Sequence, residues 1–168
     1  MGKAKNISCL IILLIFSFIS IYGQELDDKL KLLEPFINTR WEAKEPRFGD
    51  EGKIEMNFEI IENGKVIKRT DTIKAINSTS VYLYFWDFNK QEIGVFGIHN
   101  NGNFVNGHVK EEEDGKIMVY GHGIFPNLKL EFRNTYELSD DGKFTDNYFR
   151  YEDGKWKPGH SRVYYPIK

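Results

Sequence analysis

From Trp41 onward, turn signals recur roughly every 8 to 12 residues with no helical period of useful length between them, which restricts the fold to an antiparallel sandwich or barrel. The clearest strand is 128–138. There Leu130, Phe132, Asn134, Tyr136 and Leu138 alternate with Lys129, Glu131, Arg133, Thr135 and Glu137, so the first set suits an interior and the second suits water. Ile54, Met56, Phe58 and Ile60 alternate in the same way with charged or polar neighbours. Asn63-Gly64 then supplies a two-residue hairpin, from which 66–76 returns. The stretch 81–86 is apolar or aromatic on both faces and is answered across 87–92 by 93–98. With Asp87 opposite Glu92, Phe85 meets Gly94, Leu83 meets Phe96 and Tyr82 meets Gly97. Aromatics lying across glycines ease the twist and curvature of a barrel wall. Further strands are expected at 104–110, 116–124, 144–151 and 156–165. The total is nine or ten consecutive antiparallel strands joined by short turns. Closing such a sheet removes its two exposed edges, so the expected fold is all-β, a single up-and-down antiparallel barrel.

Two segments precede it. Residues 1–23 have Lys3 and Lys5 at the start, an apolar run over 7–22 and Gly23 before Gln24, the pattern of a secretory signal peptide. The run is interrupted by Ser8, Ser17 and Ser20 and is shorter than the roughly 20 apolar residues of a membrane span. The expected product is therefore a secreted or periplasmic domain, 24–168, with no stable membrane span. In 25–34, Leu26, Leu30 and Leu33 form one helical stripe that Pro35 ends, predicting a short helix packed over one end of the sheet.

Composition removes several function classes. The one cysteine, Cys9, lies in the signal segment, so the mature chain has no disulfide, thiolate metal site or cysteine nucleophile. Without Lys3 and Lys5, 21 of the 23 basic residues face 25 acidic ones, a net charge of −4 with both signs scattered, which argues against a nucleic-acid partner.

A short helix, then Phe36-Ile37-x-x-x-Trp41 entering a meandering barrel, with an arginine in the closing strand Ser161-Arg162-Val163-Tyr164-Tyr165, resembles the calycin superfamily and especially its bacterial lipocalin-like members. The usual Gly-x-Trp or Gly-Thr-Trp stands here as Asn38-Thr39-Arg40-Trp41, with asparagine for glycine and one residue added. The resemblance implies a lipocalin-like barrel, and a structural pair in which Trp41 packs under Arg162.

His99, His108, His122 and His160 show no ligand spacing such as His-x-x-x-His. His99 beside an Asn-rich turn and His160 in a Pro-Gly turn are expected in exposed loops. Whether His108 and His122 share a face depends on one residue of register. No metal or cofactor is expected; a haem site of the nitrobindin-like kind needs a histidine inside the barrel, and no position matches that family's histidine. If Ser139 pairs with Lys143 across a loop ending in Gly142, then Phe144, Asp146, Tyr148 and Arg150 point inward beside Asn134 and Tyr136. That set is the polar part of a ligand site, a satisfied internal network or, with one residue of difference in the loop, a solvated outer face. In the first case Arg150 would hold a carboxylate. Tyr82, Tyr84, Trp86, Tyr120, Tyr136 and Tyr148 offer flat apolar area with a polar tip, suited to an amphipathic ligand. The candidate ligand contacts are therefore Asn134, Tyr136, Asp146, Tyr148, Arg150, Tyr82, Tyr84 and Trp86, with no catalytic residue assigned. The partner expected is a small apolar or amphipathic molecule. An enzyme on the same barrel and an interaction module with a filled core are the alternatives: an open cavity favours binding, an inward acid–base pair an enzyme, and a solid interior the module.

Overall fold

The computed structural model describes residues 24–125 and 128–167; the signal segment expected at 1–23 lies outside them. Ten strands, β1 (Arg40–Lys44), β2 (Lys53–Ile61), β3 (Val66–Ile73), β4 (Ser78–Asp87), β5 (Glu92–His99), β6 (Phe104–Glu111), β7 (Ile117–Phe125), β8 (Leu128–Leu138), β9 (Phe144–Glu152) and β10 (Lys155–Ile167), form one closed barrel. Each strand pairs antiparallel with its sequence neighbours, and β10 closes on β1. The expected all-β up-and-down barrel is thus the architecture observed. Asp87 does face Glu92, placing Phe85 on Gly94, Leu83 on Phe96 and Tyr82 on Gly97.

The N-terminal helix differs from its expected form. It is a 3-10 helix over Asp28–Phe36 that runs through Pro35 rather than stopping there. Its buried residues, Leu30, Leu33 and Phe36, are spaced by three, and in a 3-10 helix i and i+3 eclipse, so one ridge carries all of them into the barrel. The Asp27 carboxylate accepts from the Lys29 amide at 3.0 Å and caps the first turn. The segment before the helix crosses the β2–β3 hairpin, where a Cβ on Gly64 would lie 1.8 Å from the Glu25 carbonyl oxygen, so only glycine fits.

Phe36 is the plug of this end. Its ring stacks on Phe58 at 5.4 Å and meets Phe144 edge-on at 5.1 Å. Trp41 donates its indole N–H to the Phe36 carbonyl at 3.2 Å and sets its ring against Phe144 at 4.9 Å. Asn38 takes a φ of +59°, a left-handed conformation that asparagine tolerates better than most residues. Leu30, Leu33 and Phe36 are fully buried and Trp41, Phe58 and Phe144 almost so, which makes the helix end the hydrophobic core.

Candidate functional site

The opposite half of the barrel is not filled. A cavity of about 270 Å³ opens between the strand ends away from the helix, just under the roughly 300–1,000 Å³ usual for small-molecule sites. Its walls are largely aromatic and aliphatic, with Tyr82, Tyr148, Phe132, Val105 and Val119 among them, and its charged side chains stand on β3, β9 and β10.

The floor is built on Arg69. Phe58 of β2 faces inward and pairs with Arg69 of β3, and Met56 likewise with Asp71, so both charged side chains point into the barrel. Arg69 donates its Nε to Asp71 at 2.7 Å and its Nη1 to the Tyr84 hydroxyl at 3.3 Å, with a further short bond to the Tyr136 hydroxyl. Its guanidinium also lies 4.6 Å from the Tyr82 ring centre. Burial works against the guanidinium charge, but the Asp71 carboxylate and the two phenols more than offset it, so Arg69 holds its proton above the usual range. Burial also pushes the Tyr82, Tyr84 and Tyr136 phenols up. At neutral pH these tyrosines are donors and aromatic walls, not bases.

A second polar group stands beside it. The nearly fully buried Asp146 of β9 accepts from Asn134 Nδ2 at 2.6 Å, and its other oxygen lies 3.6 Å from His160 Nε2. Arg162 of β10 binds the buried Glu45, with Nε donating at 3.0 Å and Nη2 adding a shorter bond, and its Nη1 meets His160 Nε2 at 2.8 Å. Arginine only donates, so His160 Nε2 is the acceptor in this contact. Glu45 also accepts from Arg47 at 2.7 and 2.9 Å. The Arg47 bonds, with those from Arg162, hold the Glu45 carboxyl down at about 2 against the opposing pull of burial. On the far wall Ser80 Oγ meets His99 Nδ1 at 2.7 Å, and burial lowers the His99 pKa.

His160 and Arg162 reach the cavity because β10 carries a bulge. Pro158 pairs with Phe149 and Ser161 with Asn147, which leaves Gly159 and His160 together opposite Tyr148. The Pro-Gly stretch expected to be a loop is therefore inside a strand, and the Tyr148 ring stacks on the His160 imidazole at 5.1 Å. His99, also expected in an exposed loop, ends β5 and lines the cavity.

Of the residues named from sequence, Asn134, Tyr136, Asp146, Tyr148, Tyr82 and Tyr84 line this cavity. Ser139 does pair with Lys143 across the Gly142 loop, which carries Asp146 and Tyr148 inward. Arg150 is outside: it lies one inward position nearer the rim, exposed, with Nε 2.5 Å from Glu152. Trp86 lies at the helix end, with Lys29 Nζ 4.7 Å above its ring. Tyr120 is on the outer wall, stacked on His108 and donating to Glu112 at 3.0 Å, and the exposed His122 shares that outer wall. Arg162 does not cover Trp41. It is committed to Glu45 and His160, and the ring set against Trp41 is Phe144, itself stacked on Tyr164 at 4.6 Å.

The residues missed by sequence reasoning include Arg69, Asp71, Glu45, His99 and His160. For the first two the signal was present: extending the Asn63-Gly64 hairpin sets Ile60 opposite Ile67 and Phe58 opposite Arg69, the pairing observed. Glu45 and His160 depend on a loop and a bulge that alternation does not reveal. Fold and site together define a closed β-barrel with a polar-floored cavity at one end. Among the described residues, no group of three or more His, Cys, Asp or Glu side chains is placed to hold a metal ion. Compared with known proteins, the chain matches no protein-family model and no curated protein.

Proposed function

We propose that this chain is an exported, lipocalin-like barrel of the calycin type that binds a small apolar or amphipathic molecule in the cavity of its open half. The observation that carries the reading is the cavity itself: about 270 Å³ with aromatic walls over the polar floor centred on Arg69. An apolar hollow with a few converging polar groups is what a small-molecule site requires, whereas an interaction module has no need of an unfilled interior. The short helix before β1 and the ten-stranded meander support the calycin resemblance. Export is supported by the charged start and serine-interrupted apolar run of residues 1–23.

The test is titration with 2-naphthylmethanol, a neutral two-ring probe small enough for the cavity, followed by tyrosine and tryptophan fluorescence. Wild type binds it, and Leu130→Trp, which places a large ring among the cavity-lining residues, weakens binding at least about tenfold. Equal binding by both proteins, with the variant folded, would put the ligand elsewhere. For export, the mass of the protein recovered from its native envelope is expected to start at Gln24; an intact Met1 would refute it.

A further inference from the structure

We propose, resting on the binding reading above, that the cavity is also a site of acyl transfer, with Ser80 as nucleophile, His99 as its general base, and a small neutral ester of an aromatic alcohol as substrate. Ser80 and His99 are cross-strand neighbours on β4 and β5 that both line the cavity, with Ser80 Oγ 2.7 Å from His99 Nδ1. A hydroxyl and an imidazole at that distance are the nucleophile and base of an activated-serine site. Inside a filled core they would only satisfy one another, but here they face a hollow of about 270 Å³. Tyr82, on the same face of β4, packs against the His99 ring at 82° with the centres 5.9 Å apart. Gly97 makes room for that phenol, since a Cβ there would stand 2.4 Å from Tyr82 Cδ1. The imidazole is thus held by one neighbour's ring while its Nδ1 meets the other's hydroxyl.

Both helpers are in the protonation state the reaction needs. Burial lowers His99 below the ordinary histidine range, with Arg69 acting in the same sense and Asp71 against it, so the ring is neutral at pH 7 and can take a proton. Burial keeps the Tyr82 phenol protonated, and its hydroxyl lies within hydrogen-bond reach of Ser80. In the tautomer that carries its proton on Nε2, His99 Nδ1 accepts the Ser80 proton as Oγ bonds to the ester carbonyl carbon. Tyr82 is the donor at hand for the oxyanion that forms. The bond from that carbon to the aryl oxygen then breaks, and Nδ1 passes its proton to the departing oxygen, which leaves acyl-Ser80 and the free aromatic alcohol. Water completes the cycle by giving a proton to Nδ1 and its oxygen to the acyl carbon. Ser80 departs with the proton from Nδ1, so ester and water become acid and alcohol. The rings of Tyr82, Phe132 and Tyr148 line the same space and suit an aryl group.

Two probes on the full mature chain test it: 2-naphthyl acetate, with release of 2-naphthol followed by fluorescence, and diisopropyl fluorophosphate, which stops at the covalent stage and is mapped by mass spectrometry. Wild type is expected to release 2-naphthol at least about 100-fold faster than Ser80→Ala or His99→Asn, the scale of general-base assistance, and to carry the phosphoryl label on Ser80. His122→Ala, on the outer wall, is expected to keep the wild-type rate. Equal release by wild type and Ser80→Ala, or label on other residues with none on Ser80, overturns the proposal. If circular dichroism shows a variant unfolded, the position of the label in wild type decides alone. If 2-naphthylmethanol binds while the ester is not turned over and Ser80 stays unlabelled, the proposal fails and the binding reading stands. If the alcohol does not bind and neither reactive probe touches the cavity, both fail.

Discussion

Replacing Arg69 by methionine tests whether the polar floor is one unit. The substitution keeps most of the aliphatic length but leaves the Asp71 carboxylate, 14% exposed, without its cation and removes the donor that reaches Tyr84 and Tyr136. Breaking a buried pair from one side costs about 3–5 kcal/mol, chiefly through the charge left behind. That is a large share of the roughly 5–15 kcal/mol by which a domain of this size is stable. Asp71→Leu, which orphans the guanidinium instead, should cost a similar amount. The double variant Arg69→Met with Asp71→Leu removes both charges at once and leaves only two tyrosine hydroxyls short of a donor, about 1 kcal/mol each. It is expected to lie within about 2 kcal/mol of wild type, and a coupling energy of about 3 kcal/mol or more should separate the double variant from the sum of the singles. Urea unfolding at pH 7, followed by tryptophan fluorescence and circular dichroism, measures all four proteins. A cost below about 1 kcal/mol for Arg69→Met, or additive single effects, would show that Arg69 and Asp71 are solvated separately and that the cavity has no structured floor.

Two further outcomes follow from the two ends of the barrel. Phe36→Ala removes the helix's plug from the Phe58–Phe144–Trp41 cluster and should cost about 3–5 kcal/mol in the same urea assay, whereas Glu131→Ala on the exposed face of β8 should change stability by no more than about 0.5 kcal/mol; similar midpoints would refute the helix as an anchor. Glu45, held at about 2 from an ordinary 4.5, binds fewer protons folded than unfolded, so its stabilisation is present above about pH 4.5 and is lost as pH falls toward 2. Glu45→Gln should therefore be less stable than wild type at pH 7 by up to about 3 kcal/mol, less in high salt because Arg47 is exposed, with the gap closing toward pH 2; a gap that does not change with pH would refute it.

The fold was legible because alternation and turn chemistry are local. A strand such as β8 declares its inner face within a few residues, and a short loop such as 139–143 transmits that face to the next strand, as Asp146 and Tyr148 show. The site was legible to the same extent and no further. Arg150 has the inward phase of Tyr148, but phase does not say how far along the barrel a position lies, and a long cationic side chain near a rim keeps its head in water. Trp86 has the phase of Tyr82 and Tyr84 yet falls in the helix-capped half for the same reason. Depth in a barrel is set by where the plug sits, and that is a tertiary fact. The helix type was misjudged through its period: Leu26, Leu30 and Leu33 suit 3.6 residues per turn, but Leu30, Leu33 and Phe36 suit three, and only burial of Phe36 selects the second.

The step that converts this barrel into a site is the bulge at Gly159-His160. Before it, Trp156 pairs with Tyr151 on the outer wall, and Arg133 stacks between Phe149 and Trp156 there. An uninterrupted β10 would therefore carry 157, 159, 161 and 163 inward, giving the cavity Ser161 and Val163 and sending His160 and Arg162 to solvent. Glu45 would then be buried with no cation inside the barrel, and Asp146 would lose its imidazole neighbour. The extra residue reverses the phase, and Gly159 is what permits it: a Cβ there would lie 2.4 Å from Tyr148 Cδ1, so the Tyr148 ring could not lie over the bulge and stack on His160. The Pro-Gly pair in the last strand thus does more than end a turn. It fixes which face of β10 meets Asp146, and with it the place of Arg162 opposite that carboxylate.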